Sequence, residues 1–303
     1  CGLLPSKSFN IPTICIGNIS VGGTGKTPHT EYLVNLLRNQ YKVAVLSRGY
    51  KRHSRGYFLA NEDSQARAIG DEPFQIKNKF PDIRVAVDEN RCHGIEQLLQ
   101  LKDPEVDVIL LDDAFQHRYV KAGINILLTD YNRLFCEDKL LPAGRLRESR
   151  KGKNRAQIVI VTKCPADIKP IDFKIISKQL DLFPFQELYF STFQYGKLTP
   201  VFKNLEQTER ALSSIQADEQ ILLLTGIASP LTLVNELHNY TSHVDYLAFD
   251  DHHDFSAKDM ELLHERFNQI KAEKKIIVTT EKDAARLLHH PALKNELKSY
   301  LYA

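Results

Sequence analysis

The sequence lacks paired cysteines of the kind that hold a metal or a disulfide. Its five cysteines are scattered, with no C-x-x-C pair and no spacing typical of a metal site: Cys1, Cys15, Cys92, Cys136 and Cys164. This pattern favours a reducing compartment and argues against a disulfide framework or a zinc site.

Long apolar runs and a strong excess of charge are also missing. No stretch reaches the roughly 18 apolar residues that span a bilayer. The formal net charge of +2 over 303 residues creates no global field that would attract nucleic acid. With 43% hydrophobic and 26% charged residues, the composition is typical of a soluble globular protein long enough for two domains. The chain starts at Cys1 without methionine, which indicates a trimmed chain whose upstream segment would not be visible.

The first two thirds of the chain alternate short β-branched runs with helical patterns. Seven runs are continuously apolar, as expected of strands buried on both faces: "IPTICI", "KVAVLS", "IRVAV", "VDVILL", "INILLT", "QIVIVT" and "ELYFST". Helical spacing occurs between them, for example over 27–38 and 89–101. We therefore predict an α/β fold with a parallel sheet and helices on both faces.

This alternation breaks at "TFQYGKLTPVF" (192–202), which resembles a strand, a turn at Gly196 and a second strand. A shorter series follows it: "QILLLTG", a helix near 230–239, "HVDYLAF", a helix near 256–273 capped by Ser256, and "KKIIVTT". We predict a first lobe over 1–191, a β-hairpin linker over 192–202 and a smaller α/β lobe over 203–303. The last residues of the chain are candidates for a return to the first lobe.

A glycine-rich turn lies between the first predicted strand and the first predicted helix. It matches the phosphate-loop pattern G-x-x-x-x-G-K-[ST], except that Ser20 replaces the first glycine. Glycines let several N–H groups converge on phosphate oxygens, and the helix N-terminus adds partial positive charge. Lys26 is predicted to bridge the β- and γ-phosphates and Thr27 to bind Mg²⁺. The predicted nucleotide-binding residues are Ser20, Val21, Gly22, Gly23, Thr24, Gly25, Lys26 and Thr27.

An acidic pair follows the apolar strand in "VDVILLDDAFQH". A carboxylate at the end of a neighbouring parallel strand can reach Mg²⁺ directly or through water, which makes Asp112 and Asp113 predicted metal ligands. The alternative is a turn that merely ends the strand. Together with the loop upstream, the pair predicts a site for ATP and Mg²⁺.

A nucleotide site alone does not identify the reaction. A GTP-binding switch would carry N/T-K-x-D to recognise guanine, but "VTKCPAD" places Pro165 where the aspartate should stand. A kinase needs a base for the acceptor hydroxyl. Asp71, with Glu72 beside it in "IGDEPFQI", is one candidate, and helix capping is the alternative for both residues.

A second candidate for the base is "FDDHHDF", which contains Asp251, His252 and His253. A histidine beside a carboxylate is a common way to tune a general base, while a solvated loop or a metal site are the alternatives. Two basic stretches, "SRGYKRHSR" and "GRLRESRKGKNR", are either solvated loops or a docking place for a phosphorylated or membrane-bound acceptor.

Taken together, the motifs resemble the lipid A 4′-kinase (tetraacyldisaccharide 4′-kinase) family. The segments "IGNISVGGTGKTP", "LSRGYKR", "GDEP", "LLDDAFQHR", "LLPAGRLRE", "DHHDF" and "TTEKDAARL" occur in the family's order, from about Ile11 to Leu288. "TGIASP" departs from the family's "GIGNP" form. The resemblance implies transfer of the ATP γ-phosphate to the 4′-hydroxyl of a tetraacyl glucosamine disaccharide 1-phosphate. It also implies two α/β/α lobes joined by a β-hairpin, with the active site between them.

The resemblance further implies roles for individual residues. Asp71 would be the base, assisted by His252, with Asp251 supporting the histidine; a slip by one residue would exchange His252 for His253. The other implied site residues are Glu148 near the metal and, more weakly, Tyr50, Glu72, Arg91 and Arg147 near the substrate.

The resemblance also implies partners and a location. The substrate would be a lipid, with peripheral contact at the membrane surface and no nucleic-acid or protein partner. The location would be the cytoplasmic face of the bacterial inner membrane, reached through an N-terminal helix absent from this sequence. A phosphate-loop ATPase acting as a switch or partner-binding module, and a kinase for a soluble sugar, are the alternatives.

Overall fold

The computed structural model of the chain describes residues 5–103, 105–202, 207–227, 230–251 and 253–303. The chain divides into two compact units, Cys1–Phe193 and Gln194–Ala303. Each unit is built on its own largely parallel sheet.

The sheet of the first unit has eight strands. They are β1 (Thr13–Gly17), β2 (Val43–Ser47), β3 (Phe58–Leu59), β4 (Arg84–Val87), β5 (Val108–Asp112), β6 (Ile124–Asp130), β7 (Ile158–Thr162) and β8 (Glu187–Phe190). Their order across the sheet is β3-β4-β2-β5-β1-β6-β7-β8, and every neighbouring pair is parallel except β3 with β4. All seven predicted strands are confirmed, and β2 and β5 are buried along their whole length.

The helices of the first unit cover both faces of this sheet, which confirms the predicted fold class. They are α1 (Lys26–Leu37), α2 (Ala66–Ile69), α3 (Asp71–Lys79), α4 (Arg91–Leu99) and α5 (Pro170–Leu180). From β1 to β2 and on to β4, the chain moves across the sheet in one direction, and right-handed crossovers place α1 and α3 on one face. From β4 to β5 and from β7 to β8 it moves in the opposite direction, so α4 and α5 lie on the other face. Glu31 of α1 accepts hydrogen bonds from Gln75 and Lys79 of α3, at 2.7 and 2.8 Å, as a shared face requires.

The second unit repeats the α/β pattern on a smaller scale. Its strands are β9 (Gln220–Thr225), β10 (Val244–Ala248), β11 (Lys275–Val278) and β12 (Leu301–Tyr302), in the order β10-β9-β11-β12, all parallel. Its helices are α6 (Pro230–His238), α7 (Ala257–Gln269), α8 (Glu281–Leu287) and α9 (Asn295–Lys298). Ser256 caps α7 as predicted, because its hydroxyl accepts from the Asp259 N–H while the Asp259 carboxylate accepts from the Ser256 N–H.

Residues 198–201 of the predicted linker pair with other parts of the second unit, and the segment 192–202 forms no hairpin of its own. Leu198 bridges Arg210, and Pro200 bridges Tyr302. The N–H groups of Thr199 and Val201 donate to carbonyl groups of the last strand segment, at 2.9 and 3.1 Å. The predicted strand–turn–strand is absent within 192–202 because these backbone groups find partners at the end of the chain. That end accordingly lies in the second sheet, beside β11.

In the described ranges, no helix combines the length and the hydropathy that are needed to cross a bilayer.

Candidate active site

The glycine-rich loop occupies the turn from β1 to α1, at the carboxyl edge of the sheet. Gly22 and Gly25 adopt φ values of 116° and 82°, which residues with a Cβ rarely adopt. Ser20 forms an antiparallel bridge with Leu146, and the Val21 N–H donates to the Arg145 carbonyl at 2.7 Å. This pairing fixes the start of the loop, and Ser20 has no positive φ there, so the position does not require the glycine of the consensus pattern.

Asn18, just after the first strand, holds the loop through a hydrogen bond to Thr24. The sequence motifs did not identify this residue. Its side chain is fully buried, and its Nδ2 donates to Thr24 Oγ1 at 2.7 Å. The Thr24 carbonyl in turn accepts from the Thr162 hydroxyl at 2.9 Å. A buried amide between a strand end and a glycine run is the signal that could have identified Asn18, since such a group must find partners.

Asp112 ends β5, and in the pairing of β5 with β1 it stands opposite Ile16, just before the loop. Its carboxylate is buried, and Oδ1 accepts from the Thr30 hydroxyl at 3.0 Å. Burial raises the pKa of Asp112 to about 6, and the nearby charges of Glu72 and Asp113 add to the effect. The ionised form of such a buried carboxyl group is stabilised by a positive charge beside it.

Asp113 follows directly in a left-handed conformation, with φ 45°. This turn directs its carboxylate towards the loop, where Oδ2 lies 3.8 Å from Lys26 Nζ. Its Oδ1 accepts from Arg147 Nη2 at 3.2 Å. The structure therefore brings together the predicted phosphate-binding lysine, the predicted acidic pair and Arg147.

The donor set suits Mg²⁺ better than a metal held by protein alone. Throughout the part of the chain that the structure describes, no three His, Cys, Asp or Glu side chains form a metal-binding group. Mg²⁺ is usually bound by one or two carboxylates together with phosphate oxygens and water. Asp112 and Asp113 could supply the carboxylates, and Thr27 lies half-buried in the first turn of α1 beside the loop.

Glu148 belongs to a hydrogen-bond network that reaches Asn18, the residue that holds the loop. Its Oε1 accepts from Arg155 Nη2 at 2.8 Å and from Gln116 Nε2 at 3.0 Å. The same Gln116 amide donates to the Asn18 carbonyl at 2.6 Å, and Arg147 donates to both oxygens of Asn18. Gln116 and Arg155 were not predicted, and the metal-binding role of Glu148 stays a prediction.

Asp71 and Glu72 form the first turn of α3, where the helix dipole favours negative charge. Gly70 precedes them at φ 94°, and a Cβ there would lie 3.1 Å from backbone atoms of Gly49 and Tyr50. The basic loop after β2 is thus packed against the start of α3. Tyr50 itself is exposed.

Arg91 begins α4 but is only 3% exposed. Its Nη1 donates to the Asp88 carbonyl at 3.1 Å. Burial lowers the pKa of Arg91, while the charges of Asp112 and Asp113 oppose that change. In this structure the influence of Arg91 on the acidic pair is therefore electrostatic, through its buried charge.

The acidic and histidine cluster belongs to the second unit. Asp251 accepts from Lys282 Nζ at 3.0 Å, and His252 lies outside the described residues. His253 Nε2 lies 3.0 Å from Asp259 Oδ2, and its ring stacks on Phe249 with centroids 4.5 Å apart. These contacts give His253 a part in holding the cap of α7 and the packing around it.

Comparisons with known proteins show which family the chain resembles along its whole length. The family model described as LpxK, tetraacyldisaccharide-1-P 4′-kinase, matches residues 1–303. A tetraacyldisaccharide 4′-kinase of Bacteroides fragilis is 66% identical over 303 residues, covering 100% of this chain and 81% of the relative. One from Porphyromonas gingivalis is 45% identical over 306 residues, covering 99% and 84%. The crystal structure of Aquifex aeolicus LpxK in complex with ATP is similar at a TM-score of 0.73 and 28% identity, covering 100% of this chain and 85% of that one.

From the raised pKa of Asp112 we predict how the free energy of unfolding of the metal-free, nucleotide-free protein depends on pH. A raised carboxyl pKa means that the folded state binds the proton more tightly than the unfolded state. The stabilisation is therefore complete below the unfolded pKa of about 4 and is lost as the pH rises through about 6. Because the two pKa values differ by about 2, the loss amounts to roughly 3 kcal/mol at most.

Urea unfolding between pH 4 and pH 7 measures this loss. The Asp112→Asn variant should lack the decline, whereas Asp63→Asn, at an exposed carboxylate of the same unit, should retain it. An identical pH profile of the unfolding free energy in the wild type and in Asp112→Asn would contradict the raised pKa of this carboxyl group.

Proposed function

This chain belongs to the LpxK family of tetraacyldisaccharide-1-P 4′-kinases, and from that premise we propose how its residues perform the reaction. The protein is an ATP-dependent kinase of lipid A biosynthesis that phosphorylates the 4′-hydroxyl of its tetraacyldisaccharide 1-phosphate substrate. The observation that supports the residue assignment best is the approach of Lys26 to Asp113, at 3.8 Å, beside the buried Asp112.

The phosphates of ATP lie on the loop between β1 and α1. The backbone of residues 20–27 and the positive end of α1 hold them, and Lys26 neutralises charge on the transferred group. Asn18 and Thr162 keep the loop in shape before substrate arrives, through their hydrogen bonds to the side chain and carbonyl of Thr24. A fixed loop avoids reorganisation during the reaction.

Thr27, Asp112 and Asp113 would hold the magnesium ion, and Glu148 would take part in binding it. When bound, Mg²⁺ offsets negative charge that develops on the phosphate oxygens. The raised pKa of Asp112 supports this role, because a carboxyl group that is costly to ionise alone is stabilised by a cation. Arg147 holds Asp113 in place at 3.2 Å.

Asp71 accepts the proton of the acceptor hydroxyl. Its place in the first turn of α3 favours the carboxylate form that a base requires. Tyr50 and the basic loop after β2, which pack against Gly70, lie on the acceptor side with Glu72. Arg91 acts on the site through its buried charge. His252 and Asp251 of the second unit keep the assisting roles that the family resemblance implies.

We further infer that the protein works at the surface of the inner membrane, on its cytoplasmic face. An acylated substrate stays in a membrane, and the basic stretches offer charge for anionic lipids. Co-sedimentation with vesicles of phosphatidylglycerol and phosphatidylethanolamine should show binding that weakens as salt increases. Absence of the protein from the vesicle pellet at low salt would contradict this location.

Lys26→Ala and Asp71→Asn should separate binding from chemistry. Lys26→Ala should lose most affinity for Mg-ATP and all measurable transfer, because it removes the charge on the phosphates. Asp71→Asn should keep nucleotide affinity while turnover falls by about 10² to 10⁴, the range for a lost general base.

Calorimetry with Mg-ATP and transfer of ³²P to tetraacyldisaccharide 1-phosphate in micelles measure the two effects. Asp82→Asn, at an exposed carboxylate before β4, is the matched control and should change neither. Near-normal transfer by Asp71→Asn would show that another group is the base.

The adjacent histidines should differ in the property that each substitution changes. His253→Ala should lower the free energy of unfolding by about 1–2 kcal/mol, since it removes the contacts to Asp259 and Phe249. His252→Ala should lower kcat, because the family resemblance gives His252 the assisting role. Urea unfolding and transfer assays on both variants decide this. A stable but inactive His253→Ala beside a fully active His252→Ala would exchange the two roles.

A further inference from the structure

One charged pair at the carboxyl edge of the first sheet takes no part in the proposed reaction. Lys163 Nζ lies 2.7 Å from Asp130 Oδ2, and the two side chains are 25% and 18% exposed. Asp130 is the last residue of β6, and Lys163 is the first residue after β7. The lysine side chain therefore runs along the edge of the sheet from β7 to β6, in the direction of β1.

Lys163 adopts a backbone conformation that is unfavourable for a lysine. Its φ is 58°, and only Lys51, Asp113 and Asp181 share a positive φ among the non-glycine residues that the structure describes. Such a conformation is unfavourable for a residue with a Cβ and persists only where the surroundings impose it. Here the next N–H, of Cys164, donates to the Ser191 carbonyl at 2.9 Å.

The strand that presents Lys163 is attached directly to the phosphate loop. The hydroxyl of Thr162, the preceding residue, donates to the Thr24 carbonyl at 2.9 Å and to the Thr129 carbonyl at 3.2 Å. All three threonines are buried. Lys163 thus has a fixed position relative to the loop, as a ligand-contacting residue requires.

The direction of a bound nucleotide follows from the order of the strands. Lys26 meets Asp113 on the β5 side of β1, so the proposed terminal phosphate lies on that side. The nucleoside must then leave the loop on the opposite side, where β6 and β7 end. This step rests on the proposed function, because it assumes a triphosphate on the loop.

We propose that Lys163, held by Asp130, supports the face of the purine ring of ATP. The methylene stem offers an apolar surface to the ring, and the ammonium group stays paired with the carboxylate. Pro165 stands where a guanine-recognising motif has an aspartate, so this position offers no carboxylate to the edge of a guanine ring.

The test compares two ligands that share their phosphates but differ in the nucleoside. Mg-ATP and Mg-tripolyphosphate are titrated into the full chain by calorimetry. Lys163→Gly should raise the Kd for Mg-ATP about tenfold, because it removes the methylene surface beneath the ring, and should leave the Kd for tripolyphosphate unchanged. Glycine adopts φ 58° without strain, so this variant should fold. Asp130→Asn should also raise the Kd for Mg-ATP and leave the Kd for tripolyphosphate unchanged.

Lys174→Ala, at an exposed lysine on α5, is the matched control and should change neither affinity. The kinetic counterpart in Lys163→Gly is a higher KM for ATP with kcat retained. Unchanged ATP affinity in Lys163→Gly, or an equal loss for both ligands, would overturn the proposal. Lys26→Ala in the same titrations tests the phosphate site separately, because unchanged tripolyphosphate affinity there would contradict the proposed function alone.

Discussion

The site depends on the electrostatic relation between one lysine and two carboxylates at the carboxyl edge of the first sheet. The register of β1 with β5 places Asp112 beside the start of the phosphate loop, and the left-handed turn at Asp113 directs the second carboxylate to within 3.8 Å of Lys26. Burial and mutual repulsion raise the pKa of Asp112 to about 6. In the proposed site, this surplus of negative charge would hold a magnesium ion beside the phosphates.

A layer of polar side chains holds this arrangement in shape. Asn18 supports the loop through Thr24 and receives hydrogen bonds from Gln116 and Arg147, which also contact the acidic groups. Because Asn18 and Thr24 are buried and hydrogen-bonded to each other, the fold itself holds the loop in this conformation. On the other side of β1, Thr162 holds the same loop and fixes the start of the segment that bears Lys163.

Sequence patterns sufficed wherever one physical signal dominated. Continuous apolar runs predicted seven strands, and the glycine–lysine–threonine turn predicted the loop, while β3 and β12 have only two residues each and leave no pattern. The helix predicted to reach residue 273 ends at Gln269, because Ile270 turns to an extended conformation and packs into the core. Spacing along the chain does not encode the burial of Arg91 or the hydrogen bond that Gln116, 32 residues away, donates to Glu148. The family comparisons, rather than the loop itself, decide for the lipid kinase over an ATPase switch or a soluble-sugar kinase.

The central claim is that Lys26 and Asp113 act on the same bound group, the magnesium triphosphate. A double-mutant cycle with Lys26→Ala and Asp113→Asn, measured as the affinity for Mg-ATP, tests this claim most directly. Residues that share a ligand should be coupled by about 0.5–3 kcal/mol, so the double variant should lose less affinity than the two single losses combined. Losses that add within about 0.3–0.5 kcal/mol would show that the two residues act independently, and would contradict the account.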